Sequence, residues 1–282
     1  VYITFRLLDF ADLTVDGSIA TGAAVSVMLI RAGVSPIATL PIAFLAGALA
    51  GMVTGLLNTA LGIPGILASI LTQISLYSIN LNIMGKANQP VSVDNYPLVV
   101  SLRYVTDGSV SRLLFFLGMI VFLLALIAVM YWYFGTEQGH AIRATGCNGN
   151  MARAQGINTN FIKVLALMIS NGLVGLCGAL YGQFQGASDV NMGRGAIVIG
   201  LAAVIIGEVL FGKFASKRKL AFAFTLASVI LGAVIYYMVY QFVLWLKMPS
   251  EDMKLFSAIV VAIFLAIPYL KEKRTLRKGA SK

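Results

Sequence analysis

Leu113-Leu-Phe-Phe-Leu-Gly-Met-Ile-Val-Phe-Leu-Leu-Ala-Leu-Ile-Ala-Val-Met-Tyr-Trp-Tyr-Phe134 is an unbroken run of 22 residues without a charged side chain. About 20 apolar residues make a helix long enough to cross the hydrocarbon core of a bilayer. Strands of a membrane barrel alternate apolar and polar over about ten residues, and this run does not alternate. Lipid offers no partner to a free N–H or C=O, so a span of this kind is a helix.

Outward from this run, further apolar stretches predict helices over 18–33, 36–60, 62–85, 110–135, 160–185, 195–212, 219–246 and 254–270. Composition agrees. Apolar residues make up 59% of the 282 positions, charged residues 11%, and mean hydropathy is +0.88. Soluble domains carry roughly a quarter charged residues. The expected fold is all-α, a polytopic transmembrane bundle of about eight or nine helices, forming one membrane domain over 1–282. The stretches 18–33 and 195–212 are short for full crossings, and discontinuous helices are a feature of transport sites. Val1–Leu8 is apolar but too short to span, which leaves the first helix incomplete.

Many of the 28 glycines fall inside apolar runs. Gly47, Gly51 and Gly55 recur every four residues, and Gly172, Gly175 and Gly178 every three. Small residues at such spacing let helix backbones approach closely in lipid, either within one chain or at a dimer seam. Cys147 and Cys177 are expected to be free thiols, one in a cytoplasmic loop and one in a hydrophobic run.

The net charge of +10 sits at helix ends and does not point to nucleic acid. Segments 135–163, 213–219 and 271–282 hold thirteen Lys and Arg, and the alternate loops hold seven. The richer side belongs in the cytoplasm. That places the basic tail 271–282 and the C-terminus inside, makes Leu61–Gly65 a cytoplasmic turn, and puts 86–109 outside. Strict alternation then leaves Asp9–Gly17 inside, unless a re-entrant element changes the parity.

No Walker A pattern is present, so ATP hydrolysis by that route is excluded. His140 is the only histidine, and no cluster of His, Cys and carboxylates suggests a metal. The chain therefore reads as a non-enzyme that binds no cofactor. Polar residues within spans are the candidates for a solute pathway. Gln73 lies mid-span, where it lines a pathway or meets an interhelical partner. Asn58 on 36–60 and Asn82 on 62–85 fall near helix ends and Asn80 lies on the same span as Asn82, while Asn171, Gln183 and Gln185 follow the same logic on 160–185. Glu208 is the one acid in a hydrophobic run, and Lys213, five residues on, offers it a structural role instead. Asp12 and Asp16, beside Thr14 and Ser18, either contact solute or cap the next helix, with Asp16 or Ser18 the favoured cap. Tyr131, Trp132, Tyr133 and Trp245 form the interfacial belt of any membrane protein.

The segment 137–158 is a loop of more than twenty residues with little low complexity, a type that is usually functional. Its residues Gly139-x-Ala-Ile-Arg-Ala-x-Gly-x-Asn-x-x-x-Ala-Arg-x-x-Gly-Ile-Asn158 resemble a signature of the permeases of branched-chain amino acid and ribose ABC importers. The resemblance continues through Lys163, Ser170-Asn-Gly-Leu-Val-Gly-Leu-Cys-Gly-Ala-Leu180 and Gly200-Leu-Ala-Ala-Val-Ile-Ile-Gly207. Phe10-Ala-Asp-Leu-Thr-Val-Asp-Gly-Ser18 is similar to a narrower branch, the tryptophan/tyrosine-type permeases. The likeness covers nearly the whole chain, and only the incomplete first helix departs from it.

That resemblance implies a permease subunit in the bacterial inner membrane, paired with a second permease copy. Two cytoplasmic ATPases would use ATP and Mg, and an extracellular or periplasmic binding protein would dock on the 86–109 and 186–194 loops. It implies a cytoplasmic coupling segment at 139–156, with Gly146, Asn148, Met151, Ala152, Arg153 and Gly156 forming its ATPase-coupling element. Transport would proceed by alternating access, with an amino acid, aromatic by the narrower likeness, as solute. A sugar or nucleoside is the alternative solute, and a stand-alone secondary transporter or channel the alternative function.

Overall fold

A computed structural model describes residues 1–92, 95–96, 98–101, 109–215 and 221–245, together with positions 259, 262 and 266. After a short π-helical turn at Ile3–Leu7, the elements are α1 (Thr14–Arg31), α2 (Pro36–Thr59), α3 (Gly65–Met84), β1 (Asn88–Pro90), α4 (Ser109–Phe134), α5 (Glu137–Cys147), α6 (Gly149–Ala154), α7 (Thr159–Gln185), β2 (Ala187–Asp189), α8 (Ala196–Ala215) and α9 (Ala221–Trp245). The expected helix over 254–270 and the basic tail 271–282 lie outside the described residues. The chain divides into two compact units, one built from residues 3–197 and the other from 198 onward.

Five helices are long and apolar enough to cross a membrane: Pro36–Thr59, Gly65–Met84, Arg112–Phe134, Thr159–Gln185 and Ala221–Gln241. Their limits fall within a few residues of those expected. α4 is the least covered of the five, with only 6% of its apolar window buried by the rest of the chain. Leu113, Leu124 and Val129 are accordingly exposed, as befits side chains whose solvent is hydrocarbon.

The first unit is organised around α1, which packs against α2, α3 and α7. α1 is rich in Gly, Ala, Ser and Thr, and twelve of its 18 residues are buried. A helix wrapped by other helices gains from close approach rather than from bulk. A Cβ at Gly22 would overlap the carbonyl oxygen of Gly175, and one at Gly178 would overlap that of Ile19. Along α2, Gly47 and Gly51 press in the same way on the Asn171 and Leu167 carbonyls of α7, while Gly172 seats the Phe44 ring. These two glycine series therefore serve packing within the chain.

Buried hydroxyls and amides join the same helices. The Thr54 hydroxyl lies 2.7 Å from that of Thr14 and donates to Thr72 at 2.9 Å, linking α1, α2 and α3. Gln183 on α7 donates to Ser26 at 3.1 Å and to Thr39 at 3.3 Å, and accepts the Val99 N–H at 3.1 Å. A buried polar group is costly only when it lacks such partners.

At one end of this unit β1 and β2 pair antiparallel, Asn88 opposite Asp189 and Pro90 opposite Ala187. Arg31, at the end of α1, donates to Gln89, whose own amide donates to the Met84 carbonyl at 2.6 Å. The two loops expected on the outer face are thus joined at residues 88–90 and 187–189. In the second unit, α8 and α9 approach through Gly207 against the Ser228 carbonyl and Gly232 against the Ala203 carbonyl. Ala202, Ile206 and Tyr236 form its buried core.

Candidate functional site

Two places in the first unit gather the candidate residues. The first is a cavity of about 310 Å³ between α1, α3 and the segment after β2. Its polar lining is Asp16, Gln73, Tyr77, Asn80 and Arg194, and Ile74 and Val190 supply apolar walls.

The geometry follows from where α1 begins. Asp12 Oδ1 accepts the Thr14 N–H at 3.0 Å, so the helix starts there, four residues earlier than expected. Asp16 and Ser18 therefore lie inside α1, and neither caps it. The Asp16 carboxylate instead accepts the N–H groups of Gly195 at 2.9 Å and Ile197 at 3.0 Å. It caps α8, a helix about 180 residues away in sequence, where a carboxylate satisfies orphan donors and complements the positive helix end. Gly193 permits this approach, since a Cβ there would overlap the Asp16 carbonyl oxygen. β2 and residues 190–195 thus turn back from the sheet to the start of α1. The stretches 18–33 and 195–212, short for full crossings, belong to the unbroken helices α1 and α8.

Gln73 is half-buried and has no hydrogen-bond partner among the described residues. Asn80 is fully buried, and neither its amide nitrogen nor its oxygen has a partner among the described residues. Arg194 is exposed and makes no ion pair among the described residues.

The other pathway candidates lie elsewhere. Asn171 is enclosed, donating to Asp12 Oδ2 at 2.7 Å and the Leu167 carbonyl at 3.1 Å, and accepting from Ser18 at 2.7 Å. Asp12 and Asn171 are a satisfied buried network that ties the start of α1 to α7. Asn58 donates to the Ile63 carbonyl at 2.8 Å and fixes the 61–65 turn. Glu208 is half-buried on α8 in the second unit, and the Lys213 side chain lies outside the described residues. Of the six pathway candidates, only Asp16 and Gln73 share the cavity. Asn80, one of the polar residues noted on 62–85, joins them, as do Tyr77 and Arg194, which the sequence did not mark as pathway residues.

The second place is the segment 137–158, which is a pair of short helices rather than a loop. Thr136 accepts the Gly139 N–H at 3.5 Å at the start of α5. Ile142 is buried, and Gly146 lets α5 lie on the Leu7 carbonyl, where a Cβ would overlap. Asn148 is the cap of α6, its Oδ1 accepting the N–H groups of Asn150 at 3.1 Å and Met151 at 3.0 Å. Ala152 faces inward at 4% exposure while Met151 points outward at 64%. Arg153 Nε donates to Thr159 at 2.9 Å, and Gly156 turns the chain with φ +83° into α7, which Asn158 caps. Gly146, Asn148, Ala152, Arg153 and Gly156 therefore hold the element in place, and Met151 is the large apolar side chain it presents, beside the exposed Asn150, Arg153 and Ala154. Cys147 and Cys177 are both free thiols.

Comparison with known proteins gives a consistent result. Residues 1–268 match the family described as "Branched-chain amino acid transport system / permease component". A tyrosine transport system permease protein of Clostridioides difficile (strain R20291) is 40% identical over 266 residues, covering 94% of this chain and 84% of that relative. The inner membrane ABC transporter permease protein YjfF of Escherichia coli (strain K12) is 26% identical, over 74% of this chain and 63% of its own length. An autoinducer 2 import system permease protein, LsrC of Yersinia pseudotuberculosis serotype O:3 (strain YPIII), is 28% identical, over 83% and 62% respectively. No solved structure matches.

Proposed function

The chain belongs to the family of branched-chain amino acid transport system permease components, and from that premise we propose that it is the translocating subunit of an ATP-driven importer. Its multi-pass helices place it in the inner membrane. Two copies of the chain would enclose the pathway. ATP and Mg would be used by two partner ATPases on the cytoplasmic side, and a binding protein would deliver solute to the outer side, where β1 and β2 join. The thirteen Lys and Arg of 135–163, 213–219 and 271–282 support this orientation, with the C-terminus in the cytoplasm.

The observation that carries the reading is α6. It is one short helix, capped by Asn148, anchored by Ala152 and tied to α7 through Arg153 and Thr159, with Met151 exposed at 64%. A rigid element of this kind, joined to a membrane-spanning helix by the short turn at Gly156, transmits a push from a cytoplasmic partner into the bundle. Met is suited to such a contact because its flexible thioether adapts to a partner groove. The solute is an amino acid, and the similarity to a tyrosine transport permease favours an aromatic one; a sugar or nucleoside is the alternative. Met151→Asp tests the coupling role. The expected result is a folded chain that loses ATP-dependent uptake and ATPase co-purification. Full uptake by the variant would assign coupling to another segment.

A further inference from the structure

The cavity beside α1 and α8 has a chemical character that the importer reading does not specify. It holds a fully buried amide, Asn80, with neither polar atom partnered among the described residues. Burying an unpaired amide is unfavourable, and native structures rarely leave one without a functional reason. The other polar residues of the lining are Gln73, Tyr77, Asp16 and Arg194. An exposed cation, Arg194, and the half-buried Asp16 carboxylate both line the space and form no ion pair with each other among the described residues. Asp16 already accepts two backbone N–H groups, yet a carboxylate has further lone pairs to offer. The volume, about 310 Å³, lies at the small end of ligand sites, which run from roughly 300 to 1,000 Å³.

We propose that this cavity is a selective subsite for the zwitterionic head of a free amino acid. Arg194 receives the α-carboxylate through its planar donor pair. Asp16 and the Asn80 and Gln73 oxygens accept from the α-ammonium, and the amide N–H groups of Asn80 and Gln73 complete the carboxylate shell. Ile74 and Val190 provide the apolar wall against the side chain, and Tyr77 stands where an aromatic or hydroxylated side chain would meet it. A sugar would leave the opposed charges of Asp16 and Arg194 unmatched. The inference rests on the importer reading, and it adds that the permease itself discriminates solutes.

The test uses the full-length chain in lipid nanodiscs and measures binding of radiolabelled L-tyrosine. Competitors are tyramine, which lacks the carboxylate, and 3-(4-hydroxyphenyl)propionate, which lacks the ammonium. L-Tyrosine is expected to bind saturably and to exceed both analogues by about tenfold or more, the loss of one charge-assisted contact. Arg194→Gln should weaken L-tyrosine by a similar factor and leave tyramine unchanged. Asn80→Leu should weaken both. L-Leucine binding in place of L-tyrosine, with the same dependence on Arg194, supports the subsite equally. The proposal is overturned by analogues that bind as well as the amino acid, by D-ribose binding instead, by variants that bind like the wild type, or by no saturable binding. ATP-driven uptake by the assembled complex separates the two levels. Amino acid uptake that is insensitive to both substitutions removes the subsite and leaves the importer; no ATP-driven uptake by the wild type removes both.

Discussion

Replacing Asn80 by Leu should make the protein more stable and less functional at once. Asn80 is fully buried with both amide atoms unpartnered among the described residues, and such a group costs about 1–3 kcal/mol relative to a satisfied or apolar one. Leu has the branching of Asn and removes that penalty, and the adjoining cavity gives its larger methyls room, so Asn80→Leu should raise the free energy of unfolding by about 1–3 kcal/mol. The solute loses one or two hydrogen bonds at about 1 kcal/mol each, so its affinity should fall roughly 5- to 30-fold. Reversible unfolding in mixed micelles, followed by circular dichroism, reads the first change, and solute binding or uptake reads the second. Asn82→Leu, on an exposed position of the same helix, is the control and should move neither. Destabilisation of Asn80→Leu by more than about 1 kcal/mol would mean that the amide has a structural partner, and the reasoning would fail.

Other expectations follow from packing and networks. Gly22→Ala places a methyl against the Gly175 carbonyl, and backbone cannot yield as a side chain can, so folded protein recovered from membranes should fall sharply. Gly118→Ala on lipid-facing α4 meets nothing within 4 Å and should gain about 0.5–1 kcal/mol of helix stability; the two variants compared by thermal aggregation give the contrast. Asn171→Leu strips partners from Asp12 and Ser18 and should destabilise by about 2–4 kcal/mol in the same unfolding assay, since one lost partner belongs to a carboxylate. Ile142→Ala, beneath α5, should loosen the pair α5–α6 by about 2–4 kcal/mol locally, seen as faster hydrogen exchange at residues 137–154 with the membrane helices unchanged.

The long helices were legible because 20-residue apolar runs have no other stable form in lipid. α5 was hidden within what read as a loop, since Glu137–Cys147 is polar and only 11 residues long, and its caps and the buried Ile142 emerge only with tertiary context. The three-residue strands at 88–90 and 187–189 are paired across about a hundred residues, and neither carries a β pattern of its own. The cavity was half legible. Gln73 and Asp16 were visible as polar residues among apolar ones, but a lipid-embedded helix is apolar on all sides, so periodicity does not say which face meets protein. Asn80 and Asn82 look alike in sequence, yet one is buried beside the cavity and the other exposed. Asp16 read as a cap for its own helix because capping is a local pattern; its actual partners, Gly195 and Ile197, are brought to it by the return of the chain after β2. Asn171 looked like a pathway amide and is instead the middle of a buried network with Asp12 and Ser18.

The measurement that bears most directly on the importer reading is affinity purification of the tagged chain from its native membrane in mild detergent, with mass spectrometry of what accompanies it. The account predicts a Walker-motif ATPase at about equal stoichiometry, retained by the wild type and lost from Met151→Asp. A chain that purifies without any ATPase and still moves solute when reconstituted alone would contradict it and make the protein a self-sufficient transporter.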